Sequence, residues 1–338
     1  MTLSVICPIY NEEKYIGQFL DSILQQDYPK DDLEILLVDG MSKDKTRDII
    51  ANYSEKNPCL RLVDNPQQTV PYAMNNGITS AKGNIIIRLD AHAEYPSNYF
   101  SVLVRRLGEL EGAENVGGVC VTLPCNETSI AVSIAECLSN KFGMGNSYFR
   151  VGAKDIRSVD TVPFGCFHKN LFDKIGLYDT DMIRNQDDEL NGRIIRNGGI
   201  IYLLPDIEIK YYARDKISKV RKMFYQYGLY KPLGNKKLGA PATVRQFFPL
   251  LFVLGLALGC ILCFAYPILW PYYIGVIALH LLIGTVEGIK SAKKTGKWGC
   301  IFIMPYIFIN MHICYGLGYL KGIYNLALHK SFEVKSNH

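Results

Sequence analysis

Charged residues are missing from a long part of this 338-residue chain, because residues 246–286 contain no Asp, Glu, Lys or Arg. A helix that crosses a bilayer needs about 20 apolar residues, so this stretch has the length of two spans. Pro267 and Pro271 lie mid-way and mark the turn of a hairpin. The alternative, buried helices of a soluble protein, is disfavoured because soluble helices rarely lack charge for so long.

A second uncharged stretch, residues 298–320, has the length of one further span. It contains Asn310 and His312, and polar side chains at membrane depth usually face other protein or water. This stretch therefore either presents a protein-facing surface or is a re-entrant segment. We predict about three transmembrane helices within residues 244–325.

The N-terminus lacks both a basic n-region and a long apolar h-region, which predicts that there is no cleavable signal peptide. The ten cysteines form no CxxC pair and show no metal-ligand spacing, which fits a reducing compartment. A predicted loop at residues 289–297 carries four lysines, and loops of this kind face the cytoplasm. Two crossings before that loop return the chain to its starting side, so both observations predict a cytoplasmic N-terminal domain.

Acidic residues are absent between Asp215 and Glu287, whereas residues 216–237 contain seven Lys or Arg. Apolar side chains are interleaved there at a spacing that approximates one face of a helix: Val220, Met223, Phe224, Tyr227 and Tyr230. We predict that residues 213–243 form a basic amphipathic segment on an anionic membrane surface. Nucleic-acid binding is the rival interpretation, but the neighbouring spans favour lipid, and we expect no nucleic-acid partner.

The N-terminal part, residues 1–212, lacks both GxGxxG and GxxxxGK[ST], so neither a dinucleotide fingerprint nor a Walker loop is present. Strand patterns at residues 3–6, 33–38, 60–63 and 85–89 alternate with helical patterns at 13–26, 44–53 and 71–81. Alternation of this kind predicts parallel strands joined by right-handed crossovers. We therefore predict an α/β domain with a Rossmann-like, mainly parallel sheet.

Polar side chains follow the predicted strands. In residues 84–96, NIIIRLDAHAEYP, an apolar run ends in Asp90 and His92, which would point to the same side of an extended chain. Ligands collect at the carboxyl ends of strands in open α/β sheets, so a metal or phosphate site is indicated. The alternative is a turn in which Asp90 binds nearby backbone. Asp39 ends the second strand and either contacts a ligand or caps the following helix.

Several ordered motifs resemble family 2 glycosyltransferases with a GT-A fold, and in particular the membrane-anchored members of succinoglycan-type exopolysaccharide biosynthesis. The resemblance covers the whole N-terminal domain and extends to QYGLYK at 226–231 and HICYGLGYLKG at 312–322. Its main motifs are PIYNE at 8–12, VDGMSKDKT at 38–46, PYAMNNGITSAKG at 71–83, RLDAHAEYP at 88–96, VPFGCFHKNLFDKIGLYD at 162–179 and RNQDDELNGRI at 184–194.

The resemblance implies roles for particular residues. The expected nucleotide-binding residues are Pro8, Tyr10, Glu12, Asp39, Asn75, Arg88 and Asp90. Asp90 matches the first acid of the DxD element, but His92 replaces the second, which puts in doubt whether Mn²⁺ or Mg²⁺ is bound, because imidazole suits Mn²⁺ better. Asp90 and His92 are the expected metal ligands, although His92 could instead meet the diphosphate. The expected general base is Asp187, supported by Asp188, Glu189 and Arg193.

The sequence thus predicts an inverting, metal-dependent glycosyltransferase of the hexosyltransferase type. It would move a sugar from a nucleotide donor, UDP-linked by first preference, to a lipid-linked oligosaccharide at a bacterial inner membrane, with assembly alongside other glycan-biosynthesis proteins as an open possibility. Transfer to polyprenyl phosphate is the enzymatic alternative. A processive synthase is disfavoured because residues 226–231 lack the Trp of a QxxRW element. From a different class, a non-catalytic membrane scaffold on a transferase-like domain stays open.

Overall fold

The computed structural model describes residues 2–241 and 243–332. Its described residues divide into two compact units, the first comprising residues 2–121 and 152–211 and the second residues 122–151 and 212–332. Residues 122–151, which lie inside the predicted N-terminal domain, thus group with the C-terminal helices.

The first unit begins with the alternation of strands and helices that the sequence predicts. Its elements, in chain order, are β1 (Leu3–Ile9), α1 (Ile16–Leu24), β2 (Leu33–Asp39), α2 (Thr46–Ser54), β3 (Leu60–Asp64), α3 (Val70–Ser80) and β4 (Ile85–Arg88). These four strands are parallel, in the order β3, β2, β1, β4. The register pairs Ile9 with Asp39 and Asp39 with Asp64, so the carboxyl ends of three strands meet at one level.

The rest of the sheet includes antiparallel pairs, which makes the sheet mixed. The chain continues with β5 (Ala93–Glu94), α4 (Tyr99–Glu109) and β6 (Ala113–Leu123), then three helices of the second unit, α5 (Ser129–Leu138), α6 (Lys141–Met144) and α7 (Tyr148–Val151). It returns through β7 (Arg157–Ser158), β8 (Cys166–His168), α8 (Leu171–Ile175), α9 (Gln186–Arg196) and β9 (Ile200–Tyr212). Strand β8 lies antiparallel between β4 and β6, and β9 pairs with β5 and β7.

The core of the first unit follows the period of two expected for buried strands. Leu3, Val5 and Cys7 of β1 are buried on one face of the sheet and belong to the same apolar cluster as the inward faces of α1 and α4. Helix α3 lies on the other face, where Gly77 allows close approach, because a Cβ there would be 2.5 Å from a methyl carbon of Ile6.

The second unit is helical. Its long helices are α10 (Ile217–Leu238), α11 (Phe247–Ala265), α12 (Trp270–Thr295) and α13 (Cys300–Ala327). In the described part of the chain, α11, α12 and α13 are the three helices long and apolar enough to cross a membrane. The stretch predicted as a lysine-rich loop, residues 289–297, is helical through Thr295, so the prediction of a loop was wrong for most of it. The lysines and Ala292 there are good helix formers, and Gly296, with φ 73°, ends the helix.

Helix α10 covers the predicted amphipathic segment. Its apolar side packs against α13 through close backbone contact, since a Cβ on Gly228 would be 2.0 Å from the carbonyl oxygen of Tyr315. Val220 and Phe224 belong to an apolar cluster with residues of α5, α12 and α13. The predicted apolar face therefore meets protein, while Lys219, Lys222, Lys236 and Lys237 stay exposed.

Candidate active site

Each of the loops that follow β1, β2 and β3 holds one non-glycine residue with a positive φ, in the left-handed region. The φ angles are 54° at Asn11, 62° at Met41 and 59° at Gln68. A positive φ is uncommon outside glycine, and such residues cluster at functional sites because surrounding structure must enforce them. The three positions lie at the ends of strands where nucleotide ligands bind in open α/β sheets.

The loops after β1 and β2 are joined by hydrogen bonds between their backbones and side chains. The Asn11 amide nitrogen donates to Ser42 Oγ at 2.8 Å, and the Lys43 amide nitrogen donates to Asn11 Oδ1 at 2.9 Å. The Glu12 amide nitrogen donates to Thr46 Oγ1 at 2.7 Å. Pro8 and Tyr10 are half-buried beside these loops. A Cβ on Gly40 would lie 3.1 Å from the Tyr10 ring, so glycine keeps that ring in place.

Asp39 lies beneath this surface, with no exposed side-chain area. It accepts hydrogen bonds from Ser42 and, at 2.7 Å, from Arg47 Nη1, while Arg47 Nη2 donates to Asp64 Oδ1 at 2.9 Å. The Asp64 hydrogen bond, with a further contribution from Asp39, raises the pKa of Arg47 against the effect of burial. The accessible groups here are therefore Arg47 and Asp64, whose side chain is 57% exposed.

The role at the start of α2 that was considered for Asp39 is taken by Asp44, which binds the amide of the first helical residue. Its Oδ1 accepts from the Thr46 amide at 3.0 Å and its Oδ2 from the Glu13 amide at 3.1 Å. Burial is the largest single influence and opposes its charge, but the Thr46 hydroxyl and the backbone donors together outweigh burial and lower the pKa of this carboxyl. Asp39 is thus left to hold the turn at Ser42 and the guanidinium of Arg47.

Asp90 and His92 do not emerge side by side as the extended-chain argument predicts. Strand β4 ends at Arg88, and the chain then turns so that Asp90 Oδ1 accepts from the His92 amide at 2.9 Å. The His92 ring points elsewhere. Its Nε2 lies 2.9 Å from Oε1 of the buried Glu12, and the His92 and Tyr15 rings meet edge to face. The turn that was weighed as the alternative for Asp90 is therefore present.

Arg88 connects the end of β4 to the start of α9. Its Nη1 donates to Asp187 Oδ1, which joins residues 99 positions apart in the sequence. Burial disfavours the charge of Arg88, but Asp187, Tyr178 and Asp90 around it outweigh burial and raise the pKa of the guanidinium. Burial, with Asp187 as a second cause, raises the pKa of the Tyr178 hydroxyl, which therefore stays protonated. The Asp187 side chain remains 33% exposed, so a ligand can reach it.

Two of the three residues expected to support Asp187 serve the structure around it. Glu189 is buried and receives two hydrogen bonds from Arg193, both at 2.8 Å. Arg193 also donates to the backbone carbonyls of Ile175, Gly176 and Leu177. Arg193 therefore fixes the segment that leads into Tyr178. Asp188, between the two acids, is half-buried.

Asn75 holds the same segment from the other side. Its Nδ2 donates to the Tyr178 carbonyl and its Oδ1 accepts from the Tyr178 amide, each at 2.9 Å. Both ends of the side-chain amide are thus occupied by backbone, and Asn75 contacts Tyr178 where a nucleotide contact was expected. Together with Arg193, it places Tyr178 against Arg88 and Asp187.

Sequence reasoning missed four residues of this arrangement: Arg47, Asp64, Tyr178 and Asn191. Asp64 could have been found, because it ends β3 as Asp39 ends β2. Asn191 lies one turn after Asp187, where its Nδ2 donates to Thr161 Oγ1 at 2.8 Å and its Oδ1 accepts from Asn115 at 2.9 Å. This buried polar network anchors α9 in the core, and nothing local in the sequence signals it.

A divalent cation fits the site only with help from a ligand. Among the described residues, no three His, Cys, Asp or Glu side chains converge as a metal-binding group. Mg²⁺ and its chemical relatives are commonly held by one or two carboxylates plus the phosphates of a substrate. Asp90 could supply such a carboxylate, whereas the His92 imidazole is occupied by Glu12.

A mixed sheet whose parallel half carries acids at its strand ends, followed by apolar helices, defines a GT-A-like transferase domain. The family model described as Glycosyl transferase family 2 matches residues 4–169. A Methanococcus voltae protein, dolichyl N-acetyl-alpha-D-glucosaminyl phosphate 3-beta-D-2,3-diacetamido-2,3-dideoxy-beta-D-glucuronosyltransferase, is 30% identical over 95% of this chain and 97% of its own length. The chain belongs to glycosyl transferase family 2 and is a glycosyltransferase.

Two further similarities cover most of the chain. The succinoglycan biosynthesis protein ExoA of Rhizobium meliloti is 26% identical over 76% of this chain and 77% of its own length. The fold is similar to that of the mannosyltransferase PcManGT from Pyrobaculum calidifontis, solved with GDP-Man and Mn²⁺, at a TM-score of 0.61 and 21% identity. That alignment covers 96% of this chain and 87% of the other.

Proposed function

We propose that this protein is an inverting, metal-dependent glycosyltransferase that moves a sugar from a nucleotide donor, UDP-linked by first preference, onto a lipid-linked saccharide. The observation that carries this proposal is the contact between Arg88 and Asp187. It holds a partly exposed carboxylate next to the strand end that bears Asp90. Inverting transfer needs a base on one side of the reacting carbon and, on the other, neutralisation of the leaving diphosphate, for which Asp90 would hold a cation.

The donor half of the proposed site lies at the ends of β1, β2 and β3. Pro8, Tyr10 and the joined loops line the nucleotide, and Asp39 acts by orienting Arg47. Asp64 offers a hydrogen-bond acceptor, and Arg47 offers hydrogen-bond donors, to the nucleobase and ribose of the nucleotide. A uracil imide is the group we assign to Asp64, because a carboxylate accepts from an N–H in a charge-assisted hydrogen bond.

The acceptor half uses Asp187 as general base. The acceptor hydroxyl oxygen attacks the anomeric carbon, its proton passes to the Asp187 carboxylate, and the bond to the diphosphate oxygen breaks with the electron pair leaving on the nucleoside diphosphate. Arg88 fixes the direction of the carboxylate, while Asn75, Arg193 and Glu189 act as positioning residues through Tyr178. A divalent cation held by Asp90 and the diphosphate would neutralise the charge of the leaving group.

A lipid-linked acceptor is supported by two observations. The Methanococcus voltae relative, aligned over almost the whole chain, is named for a dolichyl sugar phosphate. The second unit carries apolar helices long enough to enter a membrane and a basic helix α10 beside them. We place the enzyme at the cytoplasmic face of an inner membrane, in the assembly of an exopolysaccharide or another cell-surface glycan.

The proposal is tested by incubating detergent-purified full-length protein with a panel of UDP-, GDP- and dTDP-sugars and measuring nucleoside diphosphate release. Each donor is assayed alone, with polyprenyl phosphate and with a polyprenyl-diphosphate sugar, in the presence of Mn²⁺ or Mg²⁺. We expect release from one UDP-sugar, stimulated most by the glycosylated lipid. Stimulation by polyprenyl phosphate alone would replace the proposed acceptor, and no release from any donor would favour the scaffold.

A further inference from the structure

The helices α11 and α12 form an antiparallel hairpin whose levels can be matched from side-chain contacts. The rings of Phe252 and His280 stack with centroids 4.8 Å apart, and the rings of Phe264 and Trp270 meet edge-on at 5.5 Å near the tip. Between them, the Tyr273 hydroxyl donates to the Leu256 carbonyl at 3.0 Å. Residues 247–253 and 280–295 therefore belong to the open end of the hairpin.

Helix α13 first follows the second half of α12. A Cβ on Gly288 would be 2.6 Å from the Cys300 carbonyl oxygen, and one on Gly284 would be 2.8 Å from Pro305 Cα. Further along, His280 Nε2 lies 2.9 Å from His312 Nδ1. Up to His312, α13 moves from the open end of the hairpin toward its middle.

Beyond His312, the contacts of α13 pass to α11 and return toward the open end of the hairpin. A Cβ on Gly316 would be 2.4 Å from the Pro249 carbonyl oxygen, and the ring of Tyr319 packs on Phe247 at 5.9 Å. The contacts on α11 thus run from Phe252 to Phe247 as α13 advances. A helix that crossed the membrane beside the hairpin would instead continue to residues 256–265 and 270–279. Among residues 254–279, every side chain except Cys263 is exposed or half-buried.

Helix α10 runs along α13 and carries charge at both of its ends. Arg221 donates to Asn310 and to the Tyr306 hydroxyl, and farther on a Cβ on Gly318 would be 2.1 Å from the Tyr225 carbonyl oxygen. Lys219 and Lys222 near one end and Lys236 and Lys237 at the other are exposed. The stretch between them is about 20 Å long at 1.5 Å per residue, too short for a hydrocarbon core of about 30 Å.

The outer side of α13 suits a membrane surface. The exposed side chains on it include Phe302, Tyr306, Leu317 and Tyr324, at spacings of four, eleven and seven residues that keep them near one helical stripe. Aromatic side chains are enriched where hydrocarbon meets headgroups, and in-plane helices combine such a stripe with Lys and Arg.

We propose that α13 does not cross the membrane. Only the hairpin of α11 and α12 crosses, while α13 and α10 lie together in the headgroup layer of an anionic membrane, across the open end of the hairpin. His312 marks the deepest point of α13, and residues 300 and 327 return to the same side. Residues 217 and 327 are therefore on one side of the membrane, and the connection at residues 266–269 is on the other.

Topology tests this directly. Full-length protein carries an epitope tag at the N-terminus, after Leu269 or at the C-terminus, and protease is added to right-side-out spheroplasts or inverted vesicles of a bacterial host. We expect the two terminal tags to be cleaved only in inverted vesicles and the hairpin tag only in spheroplasts. Cleavage of the C-terminal tag in spheroplasts, or of the hairpin tag in inverted vesicles, would overturn the proposal. Size-exclusion profiles in detergent check that each tagged chain is folded.

Depth measurements give an independent test. In a Trp270→Phe, Trp298→Phe background, single Phe302→Trp and Ile313→Trp variants are reconstituted in anionic vesicles and quenched by lipids brominated at different depths. A crossing helix would place position 313 about 16 Å deeper than position 302. The contacts of α13 with α12 run from Gly288 to His280, so we expect position 313 to lie at most about 10 Å deeper than position 302 and short of the bilayer centre. Strongest quenching of position 313 by lipids labelled near the bilayer centre would contradict an in-plane helix.

Discussion

At the scale of single residues, the adjacent acids Asp187 and Asp188 can be separated. Side chains of consecutive helical residues diverge by about 100°, and the Asp187 carboxylate is the one that accepts from Arg88 Nη1. A general base contributes about 10² to 10⁴ in rate. We therefore expect Asp187→Asn to lower sugar transfer by about 10² or more while nucleotide affinity stays nearly unchanged, measured as turnover and as UDP binding.

Asp188→Asn is the matched control for that variant. It removes an equal charge from the same helical turn, where an acid stabilises the helix N-terminus by only about 0.3–1 kcal/mol. We expect it to keep most of the transfer activity. If Asp188→Asn is inactive and Asp187→Asn is active, the roles are reversed, and if both variants are active the acidic run only stabilises the start of α9.

Variants of Asp90 and His92 should behave differently, because the two side chains point to different partners. Excess chelator should abolish transfer, and Mn²⁺ or Mg²⁺ should restore it. Asp90→Asn should remove most activity at every metal concentration. His92→Gln, in contrast, should leave the order of metal preference unchanged, because the imidazole contacts Glu12. A changed metal preference in His92→Gln would make the imidazole a ligand, and full activity in chelator would remove the metal from the mechanism.

Glu34 lies at the start of β2, at the end of the sheet opposite the candidate site, and should make the stability of the fold depend on pH. Burial opposes its charge, but hydrogen bonds from Ser4, Lys82 and Arg61 outweigh burial and lower the pKa of the carboxyl below 4.5. A depressed folded-state pKa contributes stability that is present above the unfolded pKa and is lost as the pH falls through the folded value. Glu34→Gln should cost about 1–3 kcal/mol at pH 7.

The measurement is the free energy of unfolding in denaturant for both proteins at several pH values. The difference between wild type and Glu34→Gln should shrink once the pH falls below about 4.5 and through the folded-state pKa. A difference that does not change with pH would mean that shape, and not charge, is what Glu34 contributes.

At the scale of elements, the regular part of the chain could be predicted from periodicity, whereas its interruptions could not. Strands β1 to β4 and helices α1 to α3 follow apolar patterns set by burial. The same reasoning failed at Asp90 and His92, because it continued β4 past Arg88, where the Asp90 carboxylate binds the His92 amide instead. The prediction for the lysine-rich end of α12 failed as well. Its charge indicated a loop, but helix propensity continues the helix to Thr295, where Gly296 ends it.

Glycines determine how α10 and α13 meet. A Cβ on Gly318 would lie 2.1 Å from the Tyr225 carbonyl oxygen, so the two backbones would have to separate. Gly318→Val should therefore destabilise the second unit by about 1–3 kcal/mol. Gly255→Ala in α11 is the control, because a Cβ there meets nothing within 4 Å. Equal unfolding midpoints in detergent for the two variants would show that the helices do not pack as closely as the glycines indicate.

At the scale of the whole molecule, the site depends on contacts between distant segments that no local pattern encodes. Asn75 and Tyr178 are 103 positions apart, and both ends of the Asn75 amide bind backbone of Tyr178. The motifs could therefore identify which residues matter, but not which of them touch a ligand and which hold another residue. Asp39 is an example, because its position at a strand end suggested contact while its burial directs that role to Arg47 and Asp64.

Nucleotide-linked stability tests this division of roles on the intact protein. A ligand that binds only the folded state raises the free energy of unfolding by about 2.7 kcal/mol at 100 times its Kd. We expect UDP to stabilise the first unit by this amount, GDP to do so less, and Asp187→Asn to keep the UDP effect.

Asp64→Asn should reduce the stabilisation by UDP, because the exposed Asp64 carboxylate is the proposed partner of the uracil. Asp48→Asn, which removes another exposed acid nearby, should not reduce it. Unfolding is followed in detergent with each nucleotide at equal concentration. A larger effect of GDP than of UDP would assign the donor to guanine, and an unchanged UDP effect in Asp64→Asn would move the base away from the end of β3.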